Sequence, residues 1–427
     1  MHHSAPPKAP PVKNSVTTRI EKYSRIPLAP QGLFPKEHSQ GLRKTICYNT
    51  VRIMKRLPAS DNSTSVGFAA VSILTICILS LTVFASAQGR LITFNAPGAG
   101  NGSGQGTQSS AINSAGLVVG HYLDANGAFH GFIREANGHI VTGDVVGAGT
   151  ASGQGTVPTG TNSTADITGT YIDSRTIFHS FIRTSSGTVT EFDAPGAGIQ
   201  PGMGTFAAAI NSSRAVAGNF LDSGFVSHGY VRGNNGTIAT FEATGAGIGF
   251  GEGTFAGSGA CINTAGAIAG EYVDTTGAYH GYVRAADGTI VTFDAGGVGT
   301  LVASINDQGT ITGEYFDPSG EFHGYIRTAE GTITSFDVTG AGSGNGQGTE
   351  PEGISASGVV VGQYVDSSAV NHGFQRSASG AITTGNVPGA GSGSGQGTLP
   401  LTVNASGATA GYYIDANGVN HGFVLTP

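Results

Sequence analysis

Three observations predict an all-β fold made of repeated four-stranded antiparallel units. A histidine recurs seven times, at His130, His179, His228, His280, His323, His372 and His421, with spacings of 49, 49, 52, 43, 49 and 49 residues. An aspartate stands six residues before each of them, as in "GEYFDPSGEFHGYIR" at residues 313 to 327. Between these anchors lie short β-branched and aromatic runs separated by Gly-rich turns, with no stretch of helical period. Self-similarity on this scale marks an architecture in which each unit buries its neighbours' apolar faces.

The strands follow in order. The first ends in Ile-Asn, at Ile112-Asn113, Ile210-Asn211, Ile262-Asn263 and Ile305-Asn306, and an N-x-x-G turn follows in most copies. The second is the "ITGEYFD" run, the third "HGYIR" and the fourth "TITSFD". The turns "TAEG", "AADG", "EANG" and "SASG" between the last two supply a glycine for positive φ. Three tight connections make an antiparallel meander. The longer link to the next copy, "APGAGNGSGQGT" after Asn95 and "VTGAGSGNGQGT" after Asp337, suits a chain crossing from the outer edge of one sheet to the inner edge of the next. Seven such sheets set radially form a seven-bladed β-propeller; an open β-solenoid or another β-repeat array is the alternative. The seventh copy stops at "HGFVLTP" without a fourth strand, whereas "RLITFNAP" near residue 90 is a fourth strand without the other three. Pairing residues 90–96 beside residues 420–425 closes the ring and removes a broken edge.

Residues 66–87 are an uncharged apolar run ending in "FASA", preceded by Met54, Lys55 and Arg56. This reads as a signal peptide over 54–87, with Ala85 and Ala87 as the A-x-A cleavage site; an uncleaved membrane anchor is the alternative. Residues 1–53 are then a disordered basic arm or lie before the true start, and 88–427 form the repeat domain. That domain carries nine arginines, no lysine and 24 acidic residues, a net charge of −15. The balance argues against nucleic acid as a partner. Its one cysteine, Cys261, excludes an internal disulfide or a cysteine metal cluster.

The recurring pairs are Asp124 with His130, Asp173 with His179, Asp222 with His228, Asp274 with His280, Asp317 with His323, Asp366 with His372 and Asp415 with His421. The expected register sets Asp124 opposite His130, Tyr122 opposite Phe132 and Gly120 opposite Arg134. Six copies carry that arginine and Leu425 replaces it in the seventh. A carboxylate–imidazole hydrogen bond contributes on the order of 1 kcal/mol, and seven copies of it point to a structural part. Ligand or metal binding in every unit, and acid/base catalysis, are the competing readings. A catalytic site is needed once, so no residue is assigned as catalytic, cofactor-binding or metal-ligating, and no cofactor is expected. "DANG" at Asp124 and Asp415 lacks the later ligands of a calcium loop, and "GAGSGNGQGT" lacks the lysine and helix of a phosphate loop.

The unit "SINDQGTITGEYFDPSGEFHGYIR" resembles that of bacterial extracellular HAF-type repeat proteins, which similarly join an I-N-x-x-G turn, a V-V-G-x strand and an H-A-F segment. The likeness spans about residues 90–427. Here Gly follows His in six copies, Ser180 follows it in the other, and Arg stands where that family tends to have Trp. The resemblance implies export and a propeller-like fold, and supplies no catalytic residues.

The expected function is therefore an exported, non-catalytic binding or scaffold module, secreted or at the cell surface, with a glycan or protein ligand on a loop face. A hydrolase or lyase with its site on a loop face, and a membrane-tethered adhesin held by residues 66–87, are the alternatives. Two copies break the repeat. Copy five lacks about six linker residues in "FDAGGVGTLVASIN", which opens a notch in the rim, and copy four inserts "GSGAC".

Overall fold

A computed structural model describes residues 89–427. The expected arm, signal segment and anchor lie outside the described residues, as does the cleavage site. Among the described residues there are 28 strands, and no helix is long and apolar enough to cross a membrane.

The strands pair in fours. In repeat one, Gly106–Ile112, Val118–Leu123, Phe129–Arg134 and Ile140–Gly143 lie antiparallel in chain order. The last three strands are Gly397–Val403, Thr409–Ile414 and Asn420–Thr426. Their outer partner is Arg90–Phe94, which runs antiparallel to Asn420–Thr426 with Phe94 opposite Gly422 and Arg90 opposite Thr426. The paired segment ends at Phe94, two residues short of the expected 96, because Ala96 N–H turns away to Thr107 Oγ1 at 2.9 Å.

Each repeat is also stitched to the next. Gly155 pairs in parallel with Phe129 of the preceding repeat. It holds φ at +125°, and a Cβ there would lie 1.9 Å from the Phe129 carbonyl oxygen, so only glycine fits this crossing. The asparagine that ends the first strand forms a second link. Asn113 Oδ1 caps its own turn by accepting from Ala115 and Leu117 N–H, which leaves Nδ2 to donate to Asn162 O at 3.0 Å in the next repeat. The same bond runs from Asn162 to Asn211, Asn211 to Asn263, Asn263 to Asn306, Asn306 to Ser355, and from Asn404 to Asn113 O at 2.9 Å. Repeat six breaks the series because Ser355 has no side-chain amide to give.

The core sits between repeats rather than within them. Ile112, Val118, Tyr122 and Phe132 of repeat one pack with Ala408, Ala410 and Val424 of the last; on the other face, Val119 and Ile133 meet Val145, Ile167, Tyr171 and Phe181 of repeat two. Each of the seven central aromatics, Phe132, Phe181, Tyr230, Tyr282, Tyr325, Phe374 and Phe423, is at most 3% exposed. Burying one ring of this size contributes roughly 2–3 kcal/mol. Gly120 lies opposite Phe132, and a Cβ on it would meet the ring at 2.9 Å. The glycine thus makes room for the aromatic ring, not for Arg134 as expected.

The arginines instead reach across repeats. Arg134 lies over Phe94, Arg232 over Phe192, Arg284 over Phe241, Arg327 over Phe293 and Arg376 over Phe336, at 4.8–5.0 Å, each phenylalanine coming from the outer strand of the preceding repeat. Gly143 and Gly385 replace that phenylalanine before Arg183 and Leu425. Where both partners are lost, between repeats six and seven, a gap opens that is lined by Val361, Phe374, Gln375, Pro400, Thr409, Phe423 and Leu425.

Candidate functional site

The expected Asp–His register is one residue out on each strand. His130 stands opposite Tyr122, and Arg134 opposite Val118. Asp124 opens the hairpin turn: its N–H donates to Ala128 O, and its Oδ1 accepts from Asn126 N–H at 2.8 Å and Ala128 N–H at 2.9 Å. The carboxylate is thus spent first on its own turn, which shortens the loop and slides the strands. Side-chain parity survives the slide, so Asp124, Tyr122 and His130 still share one face.

Each imidazole stacks on the aromatic residue opposite it, Tyr122 under His130 at 5.0 Å and the other pairs at 4.8–5.0 Å. In every repeat but the sixth, where Asp366 is marginally nearer, its closer acceptor is a residue that sequence reasoning missed, the one that follows the outer strand. Nδ1 meets Asp144 at 2.7 Å, Asp193 at 2.9 Å, Glu242 at 2.5 Å, Asp294 at 2.7 Å, Asp337 at 3.0 Å, Asn386 at 3.2 Å and Asn95 at 2.9 Å. The signal was present as a polar residue fourteen positions after six of the histidines. On the other side, Nε2 lies 3.7, 3.8, 3.4, 3.4, 3.1 and 3.5 Å from Asp124, Asp173, Asp222, Asp274, Asp366 and Asp415. The His side chains are 18–25% exposed, so these stations lie near the surface. The hydrogen bond to Glu242 raises the His228 pKa above its ordinary value. Burial pushes the Asp274 carboxyl up, but the Thr276 hydroxyl and the Ala278 and Thr276 amides outweigh it and bring the pKa down to about 2.

Repeat five departs from this pattern. No described carboxylate comes within 4.0 Å of His323 Nε2; Asp317, Glu321 and His323 instead form an open group. In repeats one, two, six and seven a linker glutamine clasps the hairpin, as Gln105 Nε2 does to Ala125 O at 3.0 Å and Gln347 Nε2 to Ser367 O at 3.2 Å, while Met203 and Glu252 take its place in repeats three and four. The six missing linker residues remove that glutamine from repeat five.

The "GSGAC" insertion of repeat four crosses onto repeat five, with Gly259 N–H on Ala303 O at 2.8 Å and Ile305 N–H on Ala260 O at 3.0 Å. Cys261 is fully buried there, and burial pushes its thiol up to about 12, far from a nucleophile's range.

A further series was hidden in the "G-x-Y" of the second strand, "G-x-F" in repeat three: His121, Thr170, Asn219, Glu271, Glu314, Gln363 and Tyr412. A bulge in the next repeat's first strand frees one amide, and Thr170 Oγ1 takes it from Ala207 at 3.2 Å and Glu271 Oε2 from Val302 at 3.3 Å. Proline occupies the equivalent position at Pro158 and Pro400 and offers no N–H. The residues opposite them keep buried atoms without a partner: both His121 ring nitrogens and Gln363 Oε1.

No family model and no curated protein matches the chain. Among solved structures it is similar to a streptogramin B lyase, at 14% identity over 79% of this chain and 98% of that one with a TM-score of 0.48. The BP39L lectin from Burkholderia pseudomallei aligns at 11% identity over 75% and 96% of the two chains, with a TM-score of 0.46. A puromycin hydrolase aligns at 11% identity over 75% and 50%, with a TM-score of 0.43.

Proposed function

We propose that the chain is an exported, non-catalytic β-propeller of seven blades, closed by residues 90–94, which binds a glycan or a protein through its linker face. The asparagine series, running on from Asn404 to Asn113, supports closure. The observation that carries the functional reading is how the side chains are used. Strand faces are consumed in packing between repeats, hairpin carboxylates in their own turns and imidazoles in the adjoining side chains. The linkers remain open to a ligand, and they are where the repeats differ. Ile199 and Ile248, on the linkers into repeats three and four, are 73% and 85% exposed where repeats six and seven carry Ser343 and Ser392, and Val298, on the shortened linker into repeat five, is 51% exposed. Export follows from the cleavage reading at Ala87, and N-terminal sequencing of secreted protein then begins at Gln88.

The test is saturable binding of labelled protein to a glycan array and to cell envelopes. Replacing Ile199 and Ile248 by Asp is expected to weaken binding at least about tenfold while leaving thermal unfolding unchanged. Turnover of an ester or glycoside substrate, or binding indifferent to these substitutions, contradicts the reading.

A further inference from the structure

We propose that the notch of repeat five binds one first-row transition dication through Asp317, Glu321 and His323. The hairpin places the three together. Asp317 N–H donates to Glu321 O at 3.0 Å, so the two acids face one another across the turn; Glu321 immediately precedes the strand Phe322–Arg327 and lies two residues before His323, on the same side of the extended chain. Their ligand atoms all lie within 4.8 Å of one another. Donors held at about 2.0–2.2 Å from one ion span roughly 3–4.4 Å, so a small closure of flexible side chains brings this set onto a metal.

Three features, the first, second and fourth below, set this station apart from its six counterparts, and the third is a support it shares with them. First, elsewhere Nε2 sits 3.1–3.8 Å from the hairpin aspartate, whereas here the two have parted and the nitrogen faces the acids across a gap. Second, Glu321 replaces a residue that is apolar in every other repeat: Ala128, Ile177, Val226, Ala278, Val370 and Val419. Setting a second carboxylate opposite Asp317 introduces like-charge repulsion that a cation would turn into attraction. Third, Asp337 Oδ1 holds His323 Nδ1 at 3.0 Å while Tyr315 stacks beneath at 5.0 Å, which fixes the ring with its Nε2 lone pair outward; a carboxylate behind the imidazole is the usual support of a metal-bound histidine. Asp317 Oδ1 is occupied by the Ser319 hydroxyl at 2.7 Å and Glu321 N–H at 3.0 Å, leaving Oδ2 as its donor. Fourth, the missing linker uncovers the hairpin, so the remaining coordination positions stay open to water or a ligand's oxygen. One imidazole with two carboxylates suits zinc or its neighbours, because imidazole disfavours calcium and magnesium.

Titration calorimetry of the full chain with Zn2+ at pH 7.5, with thermal unfolding run in parallel, tests this. One Zn2+ per chain is expected. Glu321→Val, which installs the residue of repeats six and seven, is expected to unfold like wild type yet lose affinity on the order of 100-fold. Asp337→Ala is expected to lose roughly 10–100-fold, through the imidazole it orients. Asp366→Ala, the repeat-six counterpart of Asp317, leaves affinity unchanged. No binding below 1 mM Zn2+, uptake of several ions per chain, equal affinity in Glu321→Val, or displacement by equimolar Ca2+ overturns the proposal.

Discussion

Phe374→Ala is expected to unfold about 3–5 kcal/mol more easily than wild type in equilibrium denaturation. Phe374 is 0% exposed and stands opposite Gly362, whose missing side chain admits the ring: a Cβ there would lie 3.0 Å from Phe374 Cε1. Its edge meets Phe336 of the preceding repeat at 6.0 Å, and Arg376 covers the same Phe336 at 5.0 Å. Truncation therefore removes transfer energy and leaves a cavity that backbone on both sides cannot fill. Because the contact joins two repeats, its loss also weakens the seam on which each repeat depends. A loss below about 1.5 kcal/mol would place the core elsewhere than between repeats.

The second large effect is a selective gain in acid. His121 is fully buried with neither nitrogen bonded, and burial lowers its pKa from 6.5 to about 4. A base whose folded pKa is depressed takes up its proton more readily unfolded. Its contribution therefore falls as pH drops from about 6.5 towards 4, by about 3 kcal/mol in all. His121→Leu, of similar volume and without the nitrogens, removes this dependence. Unfolding of both proteins at pH 7.0 and pH 4.5 is expected to show the variant gaining about 2–3 kcal/mol on wild type between the two. Equal losses in both would mean that His121 is hydrated in the native state. Carboxylates such as Asp274, lowered from 3.8 to about 2, lose their contribution below this range, as pH falls from about 4 to about 2, and equally in both proteins.

How much of this was legible in the sequence depends on whether the information was local. The repeat, the strand order and the alternation of faces follow from periodicity alone, and Tyr122, Asp124 and His130 fall on the face expected of them. The register did not follow, because an aspartate before "ANG" serves equally as cross-strand partner or turn cap, and at Asp124 two backbone amides decide for the cap. The Nδ1 partner at the end of the outer strand recurs as regularly as the histidine, but reads simply as the end of a strand. Contacts between repeats were least accessible. Arg134 over Phe94 and His121 against the repeat of Pro158 depend on which faces meet, and one unit's sequence does not carry that. At the notch, the shortened linker was visible, while Glu321 became informative only when the hairpin set it beside Asp317 and His323.

The proposed ring depends on the N-terminal strand completing the last repeat. With Cys47 and Cys77 replaced by serine, Leu91→Cys and Leu425→Cys would place two thiols at directly paired positions, where antiparallel Cα separations of about 4.5–5.5 Å suit a disulfide. Peptide mapping after mild oxidation is predicted to find residue 91 linked to residue 425 within one chain. Free thiols at both positions, or links only between chains, would show the ends apart and contradict it.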